Sequence, residues 1–239
     1  MLAEAEVSQH YLSGDFPKAW LTAFWHKKNW TGKNWLVPHR YDIEYSFNDY
    51  GYRDRPWSSC DYAGIWCLGD SQTVGMGVAQ EQIWPNLLDV NSINLAVAGA
   101  SNDTIARTLC SALKLHRPRA VCVLLTAPNR REIINQFGSV TLFPHSLRHL
   151  KNIDIKMFEE FLNSTDSISD QINRDKNILL IKNCCDAMNI PLIIADFDVA
   201  IKDLIKNDVA ADGLHIGAKT HKQIAMFFKK KLFDIEQNK

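Results

Sequence analysis

The chain has no excess of charge of either sign: Lys plus Arg and Asp plus Glu number 27 each among 239 residues, so the formal net charge is zero. Such a balance leaves no basic footprint for nucleic acid or for an anionic membrane surface. No apolar run approaches the ~18 consecutive residues of a membrane span. The first residues, MLAEAEVSQHYLSGDF, carry neither a basic leader nor an apolar stretch, which predicts a cytoplasmic protein. The six cysteines, Cys60, Cys67, Cys110, Cys122, Cys184 and Cys185, show no C-x-x-C spacing. They are too few for a disulfide framework in a chain of this length, so reduced and mostly buried thiols are expected. They also fail to cluster with histidine as zinc ligands do, and neither a metal nor a cofactor is expected. Repeats, low-complexity tracts and Pro/Gly/Ser-rich linkers are all missing. At 46% hydrophobic and 23% charged residues, the composition excludes disorder and coiled coil as the dominant state.

What is present changes character at about Ala63. Residues 1–62 are dense in aromatics, from Trp20, Phe24 and Trp25 to Tyr50, Tyr52 and Trp57, with an irregular apolar period. They read as an extension packed on a main body at 63–239. Within the extension YDIEYSF alternates like a strand and NDYGYRD reads as a turn. Beyond Gly64 the pattern switches to short continuous apolar runs, GIWCLG, INLAV, AVCVLLT and PLIIAD, separated by helical stretches at about 79–89, 103–116, 170–189 and 218–233. Continuous apolarity suits parallel strands covered on both faces. Strand and helix in alternation predict a three-layer α/β/α sandwich with a mainly parallel, flavodoxin-like sheet. Residues 133–170 lack clear strands and are the expected substrate-shaping wall.

In such a sheet the ligand site lies beyond the carboxyl ends of the strands. GIWCLG runs into Asp70-Ser71, INLAV into Ala98-Gly99, and AVCVLLT into Ala127-Pro128-Asn129. A serine at a strand-to-helix turn is exposed beside outward-facing amides, which suits a nucleophile that must stabilise an oxyanion. Far downstream, Asp212-Gly213-Leu214-His215 sets an aspartate three residues before a histidine just ahead of the last helical stretch. That spacing lets the carboxylate orient the imidazole while the other ring nitrogen faces the serine. A lone G-D-S tripeptide is a weak signal, since it also reads as a turn with a helix cap. In order with Gly99 and D-x-x-H it becomes specific.

These residues resemble the SGNH/GDSL hydrolase family of esterases, lipases and acetylesterases, through GDSQTVGMG at 69–77, INLAVAGASNDT at 93–104, TAPNRRE at 126–132 and DGLHIG at 212–217. The resemblance runs from about residue 64 to the C-terminus. It implies a Ser71 nucleophile, a His215 base oriented by Asp212, and oxyanion donors from the amides of Ser71 and Gly99. The family's third motif is usually Gly-x-Asn-Asp, whereas this chain has Ala127-Pro128-Asn129-Arg130. Asn129 is therefore the preferred third donor, with Asn102 its rival; Asn102 also reads as a helix-cap residue. Arg130 and Arg131 are candidates to bind an anionic group on the substrate, although such arginines commonly pair with a carboxylate such as Glu132. Cleavage of a carboxylic ester through an acyl-enzyme, without cofactor or metal, is the expected function, with a small-molecule or carbohydrate ester as partner. The competing expectation is a non-catalytic carbohydrate-binding or structural module that has kept the fold, since the early aromatics suit either packing or sugar stacking.

Overall fold

The four apolar runs set the architecture. The computed structural model describes residues 43, 45–48, 50–135, 138–142, 160, 163–197, 208–211 and 215–237. Strands β1 (Ile65–Leu68), β2 (Ile93–Asn94), β3 (Ala120–Leu125) and β6 (Leu192–Asp196) form one four-stranded sheet in the order β2-β1-β3-β6. Every pairing in it is parallel, for example Cys67 with Asn94 and with Cys122, and Cys122 with Ile193. This is the doubly wound arrangement expected from the alternating pattern.

Period-two alternation divides the strand side chains between two faces. Trp66, Leu68, Val121, Val123 and Leu125 turn to one side, where they meet Ile105 and Leu109 of α3 (Asn102–Leu113) and Ile181 and Cys185 of α4 (Ser167–Ala187). Ile65, Cys67, Ala120, Cys122 and Leu124 turn to the other, against Trp84 and Leu88 of α2 (Trp84–Leu88) and Ile224 and Phe228 of α5 (Ala218–Gln237). On that side the rings of Trp84 and Phe228 stack with centroids 4.7 Å apart. Removing a buried ring such as Phe228 by truncation to Ala would cost about 3 to 5 kcal/mol. Tyr52, fully buried, joins the first of these clusters, so the described end of the aromatic segment shares the core of the sheet. Residues 1–42 lie outside the described residues.

Four local departures from the sequence reading have physical causes. The expected helix at 79–89 divides into a 3-10 turn, Gln80–Gln82, and α2, because Pro85 has no N–H and fits only in a first helical turn. INLAV pairs as a strand only at Ile93–Asn94, and at this edge of the sheet the Asn94 side chain takes the outward Ala96 N–H at 3.1 Å. The backbone nevertheless stays beside β1, with Leu95 N donating to Cys67 O at 2.8 Å. In YDIEYSF the described residues form no ladder; Tyr45 instead directs its hydroxyl to accept from Gly77 N at 2.7 Å. The stretch read as lacking strands begins with an antiparallel hairpin, β4 (Arg131–Asn135) and β5 (Gly138–Leu142), in register from Arg131 opposite Leu142 to Asn135 opposite Gly138.

The hairpin is tied to the sandwich by charge. Arg107 of α3 donates to both carboxylate oxygens of Glu132, at 3.0 and 2.7 Å, and Arg131 donates to Asp170 of α4 at 2.6 Å. All six cysteines are free thiols, and Cys110 and Cys184 meet where α3 crosses α4. Among the described residues no helix is long and apolar enough to cross a membrane, and no group of three His, Cys, Asp or Glu could hold a metal ion.

Candidate active site

β1 delivers Ser71 to the carboxyl end of the sheet. Asp70 caps the single turn α1 (Ser71–Val74), its side chain accepting from Gln72 N at 3.0 Å. Capping of this kind satisfies an N–H that a helix start would otherwise leave unpaired. The turn stops at Gly75, whose φ of 77° lies in the left-handed region. A Cβ there would also meet Ile83 Cγ2 at 2.1 Å, so glycine is required on both counts.

The far end of α1 is held by a residue that the sequence reading passed over. Arg53 is fully buried and donates to the carbonyls of Val74 at 3.1 Å, Gly75 at 2.5 Å and Val78 at 2.8 Å, with its guanidinium 4.3 Å from the Tyr45 ring centroid. A cation at the carboxyl end of a helical turn complements its exposed carbonyls. Burial pulls the Arg53 pKa down to about 10, while Tyr45 and Glu81 act to raise it. Next in sequence, Asp54 accepts from Asn94 N at 2.6 Å and so ties the same segment to β2.

His215 comes to Ser71 from 144 residues away: its Nε2 lies 3.0 Å from Ser71 Oγ, and both side chains are half-buried. The loop that carries it is fastened to the serine turn at two places. Ile216 N donates to Gln72 Oε1 at 3.1 Å, and Ala211 N donates to Gly77 O at 3.0 Å. Within the loop, Val209 bridges Ile216, and Ala210 N donates to His215 O at 2.8 Å. Asp208 closes the loop by accepting from the amides of Lys219 at 2.7 Å and Thr220 at 3.0 Å at the start of α5. Burial acts to raise the Asp208 pKa, but these hydrogen bonds and the Thr220 hydroxyl outweigh it and hold the carboxyl below its ordinary value. Asp212 lies outside the described residues.

Of the expected oxyanion residues, Gly99 sits after β2 with a φ of 77°, and Asn129 is an exposed residue in the turn after β3. Asn102 has a different office. Its side chain is buried and exchanges two hydrogen bonds with Thr126, donating to the carbonyl at 3.0 Å and accepting from the amide at 3.1 Å. Its neighbour Ser101 is the N-cap of α3, accepting from Thr104 N at 3.1 Å. Asn102 thus clamps α3 to the end of β3, and its amide is committed there.

The arginines read as candidate substrate ligands each hold partners within the protein. Arg130 Nη1 donates to Asp70 Oδ2 at 3.0 Å and to Ala100 O at 3.2 Å. Arg131 donates to Pro128 O at 2.7 Å as well as to Asp170. Glu132, the carboxylate expected to pair with them, is occupied by Arg107 and by the Thr104 hydroxyl at 3.0 Å. Sequence carries no signal for Arg53, Gln72 or Asp208, whose partners are remote loops and backbone groups.

No protein-family model matches the chain, and no curated protein matches it. The chain is similar in fold to solved structures of GDSL-family lipolytic proteins and esterases. One is a psychrotrophic esterase from Pseudoalteromonas sp., at 19% identity over 72% of this chain and 98% of that one, with a TM-score of 0.36. Another is a carbohydrate acetylesterase family member from Sinorhizobium meliloti, at 13% identity over 71% and 96%, TM-score 0.33. A GDSL-like lipase from Bacteroides thetaiotaomicron has 10% identity over 76% and 92%, TM-score 0.34.

Proposed function

We propose that the protein is a serine hydrolase of the SGNH/GDSL type that cleaves carboxylic esters through an acyl-enzyme on Ser71. The observation that carries this reading is the 3.0 Å contact between Ser71 Oγ and His215 Nε2 beyond the carboxyl end of β1. An imidazole nitrogen at that distance can take the hydroxyl proton as the oxygen attacks a carbonyl. The C=O bond opens to a tetrahedral oxyanion, held by the amides of Ser71 and Gly99 and by the Asn129 side chain. Its collapse breaks the ester C–O bond, and His215 returns the proton to the leaving alcohol. Water then attacks the acyl-serine by the same proton route, releasing the acid and restoring Ser71. In this reading Asp212 orients the His215 ring, and the β4–β5 hairpin walls the substrate side. Acetyl esters of carbohydrates and simple acyl esters are both within its chemistry.

The test is hydrolysis of p-nitrophenyl esters over a range of acyl lengths, together with acetylated sugars, by the unaltered protein and by Ser71→Ala. Turnover that disappears in the folded variant supports the reading. A protein that binds acetylated sugar but hydrolyses none of the panel is a binding module instead.

A further inference from the structure

We propose that Arg130 is a positioning residue for the oxyanion end of the site, holding together the three strand-end loops that bear its donors. The proposal rests on the hydrolase reading above. Arg130 Nη1 donates at 3.0 Å to Asp70 Oδ2 and at 3.2 Å to Ala100 O. Asp70 immediately precedes Ser71, Ala100 immediately follows Gly99, and Arg130 itself immediately follows Asn129. A single guanidinium therefore links the loops after β1, β2 and β3, each through the residue next to an expected oxyanion donor.

The other contacts of Asp70 show how the load is divided. Oδ1 takes the Gln72 amide at 3.0 Å and thereby caps α1, while Oδ2 takes the Thr126 hydroxyl at 2.7 Å beside Arg130. Without Arg130 the cap would keep its amide partner and the serine turn would persist. The Ala100 carbonyl, part of the Ala100–Ser101 peptide, would lose this donor, and with it a tie that adds to the Val97 N–Gly69 O bond in fixing the Gly99 turn relative to Ser71. Gly99, at a φ of 77°, lacks the Cβ that would restrain the backbone between its own amide and that carbonyl. Oxyanion donors act through geometry set before the reaction, so a small displacement lowers the rate of the chemical step more than it weakens ground-state binding. The Asp70–Arg130 pair is mostly shielded, with side-chain exposures of 8% and 22%. Its charges are matched, and a role in recruiting an anionic substrate is correspondingly disfavoured.

The experiment compares the unaltered protein, Arg130→Met and Arg130→Lys on a neutral ester, p-nitrophenyl acetate, with thermal melts run on all three. Arg130→Met, folded, is expected to lose about 10- to 100-fold in kcat with KM unchanged. The pH at which activity is half lost should stay where it is in the unaltered protein. Arg130→Lys, which keeps a donor cation on a shorter reach, is expected to fall between the two. A merely structural residue would lower the melting temperature and leave the kcat of the folded protein intact, and that result overturns the proposal. So does an effect confined to KM, or one seen only with anionic esters. Should Arg130→Met fail to fold, Arg130→Lys decides: a several-fold loss of kcat at constant KM supports the role, and full kcat overturns it. Failure of the hydrolase reading is separate, because it shows as no Ser71-dependent turnover in the unaltered protein, and it takes the Arg130 role down with it.

Discussion

Ser71 and His215 lie 144 residues apart in the chain and 3.0 Å apart in space, Oγ to Nε2. If that contact is the proton path of an acyl transfer, Ser71→Ala abolishes turnover, with a loss on the order of 10⁴ or more in kcat. The melt should be little changed, since the hydroxyl is half-buried at a surface turn. Mass spectrometry after treatment with a fluorophosphonate should place the adduct on Ser71, and labelling should slow markedly in His215→Ala. An adduct on another serine would exclude the mechanism.

Gln72 joins the serine turn to the histidine loop through the Ile216 amide. Gln72→Leu removes the acceptor and is expected to lower kcat by about 10-fold, with faster hydrogen exchange at the Ile216 N–H. Gln72→Glu keeps an acceptor oxygen and should recover most of the rate above neutral pH. Unchanged kinetics in Gln72→Leu would show that the Ala211–Gly77 bond holds the loop alone.

The two asparagines separate by kind of effect. Asn102→Ala leaves the buried amide and carbonyl of Thr126 without the partners they have in the fold, and should cost about 2 to 4 kcal/mol of stability. Asn129→Ala, at an exposed turn, should leave the melt unchanged and lower kcat by about 10²-fold with KM constant. Denaturant unfolding and steady-state kinetics on both variants check the assignment.

His221 makes the fold sensitive to acid. It is fully buried in the first turn of α5, and its Nδ1 accepts from Trp84 N at 3.1 Å, so the neutral ring carries its proton on Nε2. Burial, helped by the nearby charges of Arg53 and His215 and opposed by Asp208, pulls its pKa down from 6.5 to about 3. The unfolded chain therefore binds a proton here that the folded chain refuses between those values. The contribution of His221 is complete above the ordinary imidazole value and is lost as pH falls toward about 3. His221→Gln should be less stable than the unaltered protein at pH 7, and the gap should narrow steadily toward pH 4. A constant gap in urea unfolding across that range would contradict a neutral buried His221.

The layered fold and the serine turn were legible in the sequence because they depend on local periodicity. Continuous apolar runs such as AVCVLLT suit strands covered on both faces, and the switch to helical spacing after each run points to parallel crossovers. Asp70-Ser71 at the end of β1 follows from the same pattern. The Pro85 break in 79–89 was also written in the chain, as a missing N–H, though the apolar spacing around it reads as one helix. The β4–β5 hairpin was less legible, for a short strand without a strong turn signal cannot be told from a loop by periodicity.

Tertiary structure alone decided which polar groups meet. Nothing in NDYGYRD singles out Arg53, yet it is buried against the carbonyls of Val74, Gly75 and Val78. Arg130 and Arg131 read as a cationic rim, and their partners Asp70, Ala100 and Asp170 lie in other elements. Asn102 reads as a helix cap, and its amide is taken by Thr126 across the sheet end. Apolar periodicity is a property of neighbours in the chain, so one sequence displays it. A buried hydrogen bond is a property of two backbones brought together by folding, and its partner is known only when both are in place.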